Sequence, residues 1–127
     1  MSFVYLDTHI AVDLYNGLVE DLTIKAKRQI EANELLISPM VLLELGYMRQ
    51  RKRVGTEAEM ILAGLNTTFG VNLCQIPFAA VAGLALHILW TNDPFDRMIV
   101  AQAQANRTAK LITRDRLIRT HYSAAIW

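Results

Sequence analysis

Two aspartates stand three residues apart around a proline in NDPFDRMIVAQAQA (92–105), at the head of an alanine-rich apolar run. In D-P-F-D, Asp93 fits a helix N-cap, Pro94 the first helical position and Asp96 the third. A capping carboxylate accepts a backbone N–H and meets the positive helix end, worth about 0.5–2 kcal/mol, so Asp93 is expected as a helix cap. Asp96 is also favoured in a first turn, but Ile99, Val100 and Ala103 continue its face as an apolar stripe. Its carboxylate therefore points along the buried side, where chemistry rather than capping would explain it. Glu44 poses the same question, with Met40 and Val41 behind it and Tyr47 and Met48 ahead. An ionised carboxylate on such a face is paired, protonated or bound to a cation, and Arg97 is a candidate pairing partner. Asp7 directly follows FVYL, and Asp115 lies two residues beyond KLIT. Singly, Asp7 reads as a turn residue and Asp115 as the N-cap of RLIR.

Four carboxylates gathered at one place cannot all stay ionised unaided, because like charges raise one another's pKa. A hard divalent cation resolves the conflict, and Mg²⁺ takes oxygen ligands from one or two carboxylates, waters and phosphate oxygens. Zinc fits poorly: there is one cysteine, Cys74, and the histidines are scattered at 9, 87 and 121. Thr8, Thr113 and Ser38 have no evident histidine partner for a nucleophilic triad. Thr8 and Thr113 are each close to an acid, where they either orient an attacking water or make ordinary backbone hydrogen bonds.

The elements that must position these groups alternate. FVYL (3–6) reads as a buried strand, and LTIKAKRQIEAN (22–33) has helical spacing. LLIS (35–38) is a second strand, and Ser38-Pro39 opens a helix through about Arg51. Gly55-Thr56 breaks the chain before a helix over 57–65. VNLCQI (71–76) is a third strand, with Cys74 as a buried strand residue, and Pro77 precedes an apolar helix to about Trp90. Asp93 starts a helix to about Asn106, AKLIT (109–113) is a fourth strand, RDRLIR a helical turn, and AIW a last strand or a tucked tail. Such alternation predicts one three-layer α/β/α domain over residues 1–127, with a central parallel sheet of four or five strands. All four acids then lie at the carboxyl edge, where such sheets place their sites.

Bulk composition narrows the classes. The chain has 127 residues, 53% hydrophobic and 20% charged, enough for one domain with a real core. The apolar runs 35–43 and 78–90 fall short of the roughly 18–20 residues a bilayer needs, and Asp7 interrupts any signal-like segment, so a cytoplasmic protein with no membrane partner is expected. A single cysteine excludes an internal disulfide. The net charge of +1 hides seven acids against three bases over residues 1–48, and six bases against one acid over 97–127. RQRKR (49–53) adds Arg49, Arg51, Lys52 and Arg53. With Arg97, Arg114 and Arg116 these are candidate phosphate contacts, although cations near a helix C-terminus are also stabilising in themselves.

LDTHIAVDLY, the lone Glu in SPMVLLEL, DPFDRMIVAQAQA and LITRD together resemble the PIN domain, and specifically the small VapC-like toxins of bacterial toxin–antitoxin pairs. The resemblance runs in order along essentially the whole chain, and DPFDRMIVAQA followed by LITRD is its specific part. It implies an Mg²⁺- or Mn²⁺-dependent endoribonuclease and maps the family's acids onto Asp7, Glu44, Asp96 and Asp115. In the expected reaction Asp7 and Asp96 are the main metal ligands, Asp115 completes the site directly or through water, and Glu44 binds a second ion or orients the attacking water. The resemblance also implies a homodimer and inhibition by a small VapB-like antitoxin. The alternatives are a PIN nuclease acting on other RNA or on DNA, a non-catalytic binding module, and a receiver-like phosphoacceptor domain. The last normally has paired acids after its first strand and a lysine after its last, whereas Asp7 is single and Arg114 follows LIT.

Overall fold

A computed structural model describes residues 2–127. The run FVYL forms β1 (Phe3–Leu6), with Val4, Tyr5 and Leu6 buried on successive, opposite faces. A strand covered on both sides belongs to a sheet with helices above and below. The chain then runs through α1 (Thr8–Tyr15), a 3₁₀ turn (Val19–Asp21), α2 (Ile24–Ala32), β2 (Glu34–Ile37), α3 (Pro39–Gln50) and α4 (Ala58–Phe69). It continues through β3 (Asn72–Leu73), α5 (Phe78–Ala85), α6 (Pro94–Ala105), β4 (Lys110–Ile112), α7 (Arg116–His121) and β5 (Ala125–Ile126).

Among the described residues, five parallel strands make one sheet in the order β3-β2-β1-β4-β5. Seven α-helices flank it as a three-layer α/β/α fold. β1 is central, pairing Val4 with Leu35 of β2 on one side and Tyr5 with Leu111 of β4 on the other. Connections therefore part to either side of the carboxyl end of β1, the switch point at which open parallel sheets form clefts.

Several helix starts have a local cause. Thr23 caps α2 through Ala26 N–H (3.1 Å) and Ser38 caps α3 through Met40 N–H (3.1 Å), with Pro39 in the first turn. Asp93 accepts from Phe95 N–H (2.8 Å) and Asp96 N–H (3.2 Å), again with a proline first. α4 closes on Gly70 at φ 71°, a conformation without penalty only for glycine.

Several elements differ from their sequence expectation. α1 was not anticipated, because its cap is the same Asp7 that ends β1 and leaves no loop between strand and helix. The helix after Pro77 stops at Ala85 rather than near Trp90. His87 and Ile88 donate to Leu84 and Ala85 (both 3.1 Å), so the chain tightens into i→i+3 turns and leaves the helical path. β3 is confined to two residues. Cys74 is buried beyond it, with Sγ 3.0 Å from the Tyr5 hydroxyl, which also accepts from Asn106 Nδ2 at 3.0 Å. AIW supplies the edge strand β5, paired to β4.

Candidate active site

β1 delivers Asp7 to the switch point at 6% exposure. Its backbone N–H donates to Ile112 O (3.0 Å), tying the ends of β1 and β4 together. Its carboxylate is held twice: Oδ1 accepts from Thr8 N–H (2.8 Å) and Oδ2 from the Thr113 hydroxyl (2.6 Å). Burial raises the Asp7 pKa. The two hydrogen bonds and His9 act against the rise, and the charge of Asp115 adds to it.

The two threonines carry the neighbouring acids. Thr113, fully buried, accepts from Asp115 N–H (3.0 Å) while donating to Asp7, so one hydroxyl fixes both acids at the end of β4. The Asp115 carboxylate itself caps α7 through Ile118 N–H (2.9 Å). Thr8 donates its hydroxyl to Glu44 Oε1, linking the start of α1 to the second turn of α3. Glu44 is half-buried with its pKa raised, first by burial and then by the charges of Asp7 and Asp93, while the Thr8 hydrogen bond lowers it. Asp96, in the first turn of α6, has its pKa pushed up to about 7 by burial and by the charges of Asp93, Asp7, Asp115 and Glu44.

Asp7, Glu44, Asp96 and Asp115 therefore share one electrostatic neighbourhood at the carboxyl edge, built from β1, α3, α6 and the β4–α7 junction. Asp93 performs the capping its sequence position indicated. Among the described residues no lysine or arginine is paired with the four, and His9 is the basic neighbour that acts on Asp7 and Glu44. The salt bridges among the described residues are Lys27–Glu20 and Arg114–Asp13, and Arg97 Nε donates to Thr91 O (2.9 Å) instead of meeting Glu44. Among the described residues no three acidic, histidine or cysteine side chains converge tightly enough to enclose one ion by themselves. A cluster of all-oxygen donors, with Asp7, Glu44 and Asp96 raised in pKa and no lysine or arginine paired to it, nevertheless fits the open mode of Mg²⁺, in which one or two carboxylates are supplemented by waters and phosphate oxygens.

The basic candidates divide by environment. Arg49 donates to Gly55 O and closes the 51–57 loop, so it has a structural job. Arg51 lies over the Tyr47 ring, 5.6 Å from its centroid, and donates to the Tyr47 hydroxyl (3.0 Å). Arg53 lines the same cleft, and Lys52 is exposed in the left-handed region at φ 58°. Arg114 is engaged by Asp13 and lies 5.5 Å from the Trp127 ring centroid; Arg116 is exposed at the head of α7. The sequence reading missed the Asp13–Arg114 pair and the Thr8–Glu44 link, which join residues 101 and 36 positions apart. It also took Tyr47 only as apolar cover for Glu44. Its position one helical turn beyond that acid was the available signal that it lines the site.

Residues 4–122 match the model of the PIN domain family. The chain belongs to that family. No curated protein is a significant match. Solved structures similar to this PIN domain include VapBC2 from Rickettsia felis bound to a DNA fragment from their promoter, at 18% identity and TM-score 0.64. A toxin–antitoxin complex from Klebsiella pneumoniae is similar at 22% identity and TM-score 0.64, and DNA-bound VapBC from Salmonella typhimurium at 18% and 0.58. In each case 98% of this PIN domain and 96% of the other chain are covered. At these identities the likeness is one of fold, and the sequence-derived expectation of a PIN-like α/β/α domain is met.

Proposed function

We propose that this PIN domain is a divalent-metal-dependent endoribonuclease, the toxin member of a VapBC-type pair acting in the cytoplasm. The observation that carries the reading is the set of raised carboxyls, Asp7, Glu44 and Asp96, gathered beside Asp115 with no lysine or arginine paired to them among the described residues. Left alone, such a cluster opposes folding; its chemistry is to hold positive charge against a phosphodiester. Asp7 and Asp96 are the main ligands for Mg²⁺ or Mn²⁺, with Asp115 completing the acidic site. When bound, the ion supplies Lewis-acid polarisation of the phosphoryl group and lowers the pKa of water.

The chain's own residues do the positioning. Thr113 holds Asp7 in one orientation, and Thr8 does the same for Glu44, whose second oxygen is left to orient an attacking water. Arg116 and Arg114 flank Asp115; Arg114 is committed to Asp13, and the charge of exposed Arg116 attracts the substrate backbone. A VapB-like antitoxin and a second copy of the chain are the partners this reading brings. Apolar surface at Phe78, Leu86 and Leu89, 62%, 70% and 73% exposed, supports partner burial in general.

The test is cleavage of RNA and of matched DNA by the pure protein, with Mg²⁺, with Mn²⁺ and with EDTA. Metal-dependent RNA cleavage is expected, falling by about 10²–10³-fold or more in Asp7→Asn and in Asp96→Asn. Cleavage that survives EDTA, or either substitution, would refute the assignment.

A further inference from the structure

Beside the acidic quartet lies a cleft of about 430 Å³ that shares only Glu44 with it. It runs between the C-terminal half of α3 and the head of α6, and its lining includes His9, Glu44, Tyr47, Arg51, Arg53 and Phe95. The volume falls within the roughly 300–1,000 Å³ of ligand sites. Tyr47 and Phe95 have ring centroids 6.0 Å apart at an interplanar angle of 35°, and Tyr47 is 46% exposed, which leaves aromatic surface in water. Arg51 is fixed at the Tyr47 ring by its hydroxyl contact, and Arg53 brings a second cation to the wall. Glu44 belongs both to this wall and to the quartet, so cleft and acidic site are continuous.

Exposed aromatic rings beside guanidinium groups suit a flat base carrying a phosphate: the base stacks on the ring, and the phosphate takes charge-assisted hydrogen bonds from arginine. A strand with one phosphate at the quartet would extend its adjoining nucleotide into this cleft. We propose that the cleft is a nucleotide subsite, taking the base next to the phosphate at the quartet against Tyr47 and Phe95, with Arg51 and Arg53 on that nucleotide's outer phosphate. The assignment rests on the nuclease reading for its register, but its test reads binding alone.

The probe is a short fluorescein-labelled single-stranded RNA, intact or with a single abasic position moved along it. Anisotropy is measured in EDTA with the full chain carrying Asp96→Asn, so that cleavage plays no part. Adding Tyr47→Ala is expected to weaken binding about tenfold, Tyr47→Phe, which keeps the ring and loses only the hydroxyl contact to Arg51, to cost much less, and Arg51→Gln to weaken it and reduce its salt dependence. One abasic position should cost a similar factor with Tyr47 present and almost nothing with Tyr47→Ala, which a merely structural role for the tyrosine would not produce. Unchanged affinity in Tyr47→Ala, equal abasic sensitivity with and without the tyrosine, or no RNA binding at all would overturn the subsite. Loss of the nuclease reading would appear separately, as absence of metal-dependent cleavage by the wild-type chain while this binding pattern persisted.

Discussion

Thr113 shows how little side chain is needed to organise the acidic site. Its hydroxyl donates to Asp7 and accepts from Asp115 N–H while fully buried. Thr113→Val preserves shape but leaves the Asp7 carboxylate held only by Thr8 N–H and orphans the Asp115 N–H. Cleavage in Mg²⁺ should fall about 10–100-fold, as for other residues that orient metal ligands, and recover in Thr113→Ser. Unfolding should show a loss of about 1–3 kcal/mol for the orphaned group. The carboxyls also make stability depend on pH in an unusual direction. Asp96 titrates near 7 in the fold against an ordinary value of 3.8. Between those values the native state holds a proton that the unfolded chain has released, so stability falls as pH rises through that window. Asp7 and Glu44 are shifted in the same direction. Metal-free protein should therefore withstand more urea at pH 5 than at pH 8, Asp96→Asn should flatten the difference, and Mg²⁺ should restore stability at pH 8. A profile that rises towards pH 8 without metal would contradict the burial of these groups.

Helix starts carry the site, and they were also the most legible part of the sequence. Ser38-Pro39 and Asp93-Pro94 announced α3 and α6, because cap and proline chemistry is local and needs no tertiary partner. The apolar strand runs FVYL and LLIS were readable for a related reason, since burial on both faces leaves no polar alternation. What stayed hidden was non-local. Asp7 as cap of α1, Thr8 meeting Glu44 and Arg114 meeting Asp13 depend on which strands become neighbours. The early end of α5, where His87 and Ile88 turn back on Leu84 and Ala85, falls in a stretch with no proline or glycine between Ala85 and Asp93 to mark it. Ser38 gives a test at this scale: besides capping α3 it donates to Gln102 Oε1 (2.9 Å), a buried side chain whose Nε2 has no partner among the described residues. Ser38→Ala should cost about 1–3 kcal/mol in urea unfolding, at the upper end of cap losses, because it strands the rest of the Gln102 amide. Gly64 gives a second. A Cβ there would stand 2.7 Å from the Tyr15 ring, at the α1–α4 contact. Gly64→Ala should lower stability by about 1 kcal/mol, because overpacking outweighs the gain in helix propensity.

Across the whole molecule charge is sorted, with acids prevailing over residues 1–48 and bases over 97–127. Asp7 is buried and Glu44, Asp96 and Asp115 are partly buried at one edge, with exposed Arg116 beside Asp115. RNA affinity should fall steeply with salt, and Arg116→Gln should reduce the log–log slope by about 0.7 if that side chain meets one phosphate of a single strand. Arg114→Gln should instead show mainly as lost stability, because its guanidinium is committed to Asp13. An identical slope in Arg116→Gln would return that residue to ordinary solvated surface. The central place of β1 has a last consequence. Its outgoing end is completed by β4, whose partner residues lie 106 positions along the chain, through Val4–Lys110, Tyr5–Leu111 and Leu6–Ile112. Nothing short of docking those two remote segments can bring Thr113 to Asp7, so a chain only partly collapsed has no competent centre. During refolding, return of the proposed RNA cutting should coincide with the slowest structural phase rather than anticipate it, and fraying of that one seam should abolish it while most of the helices are still intact.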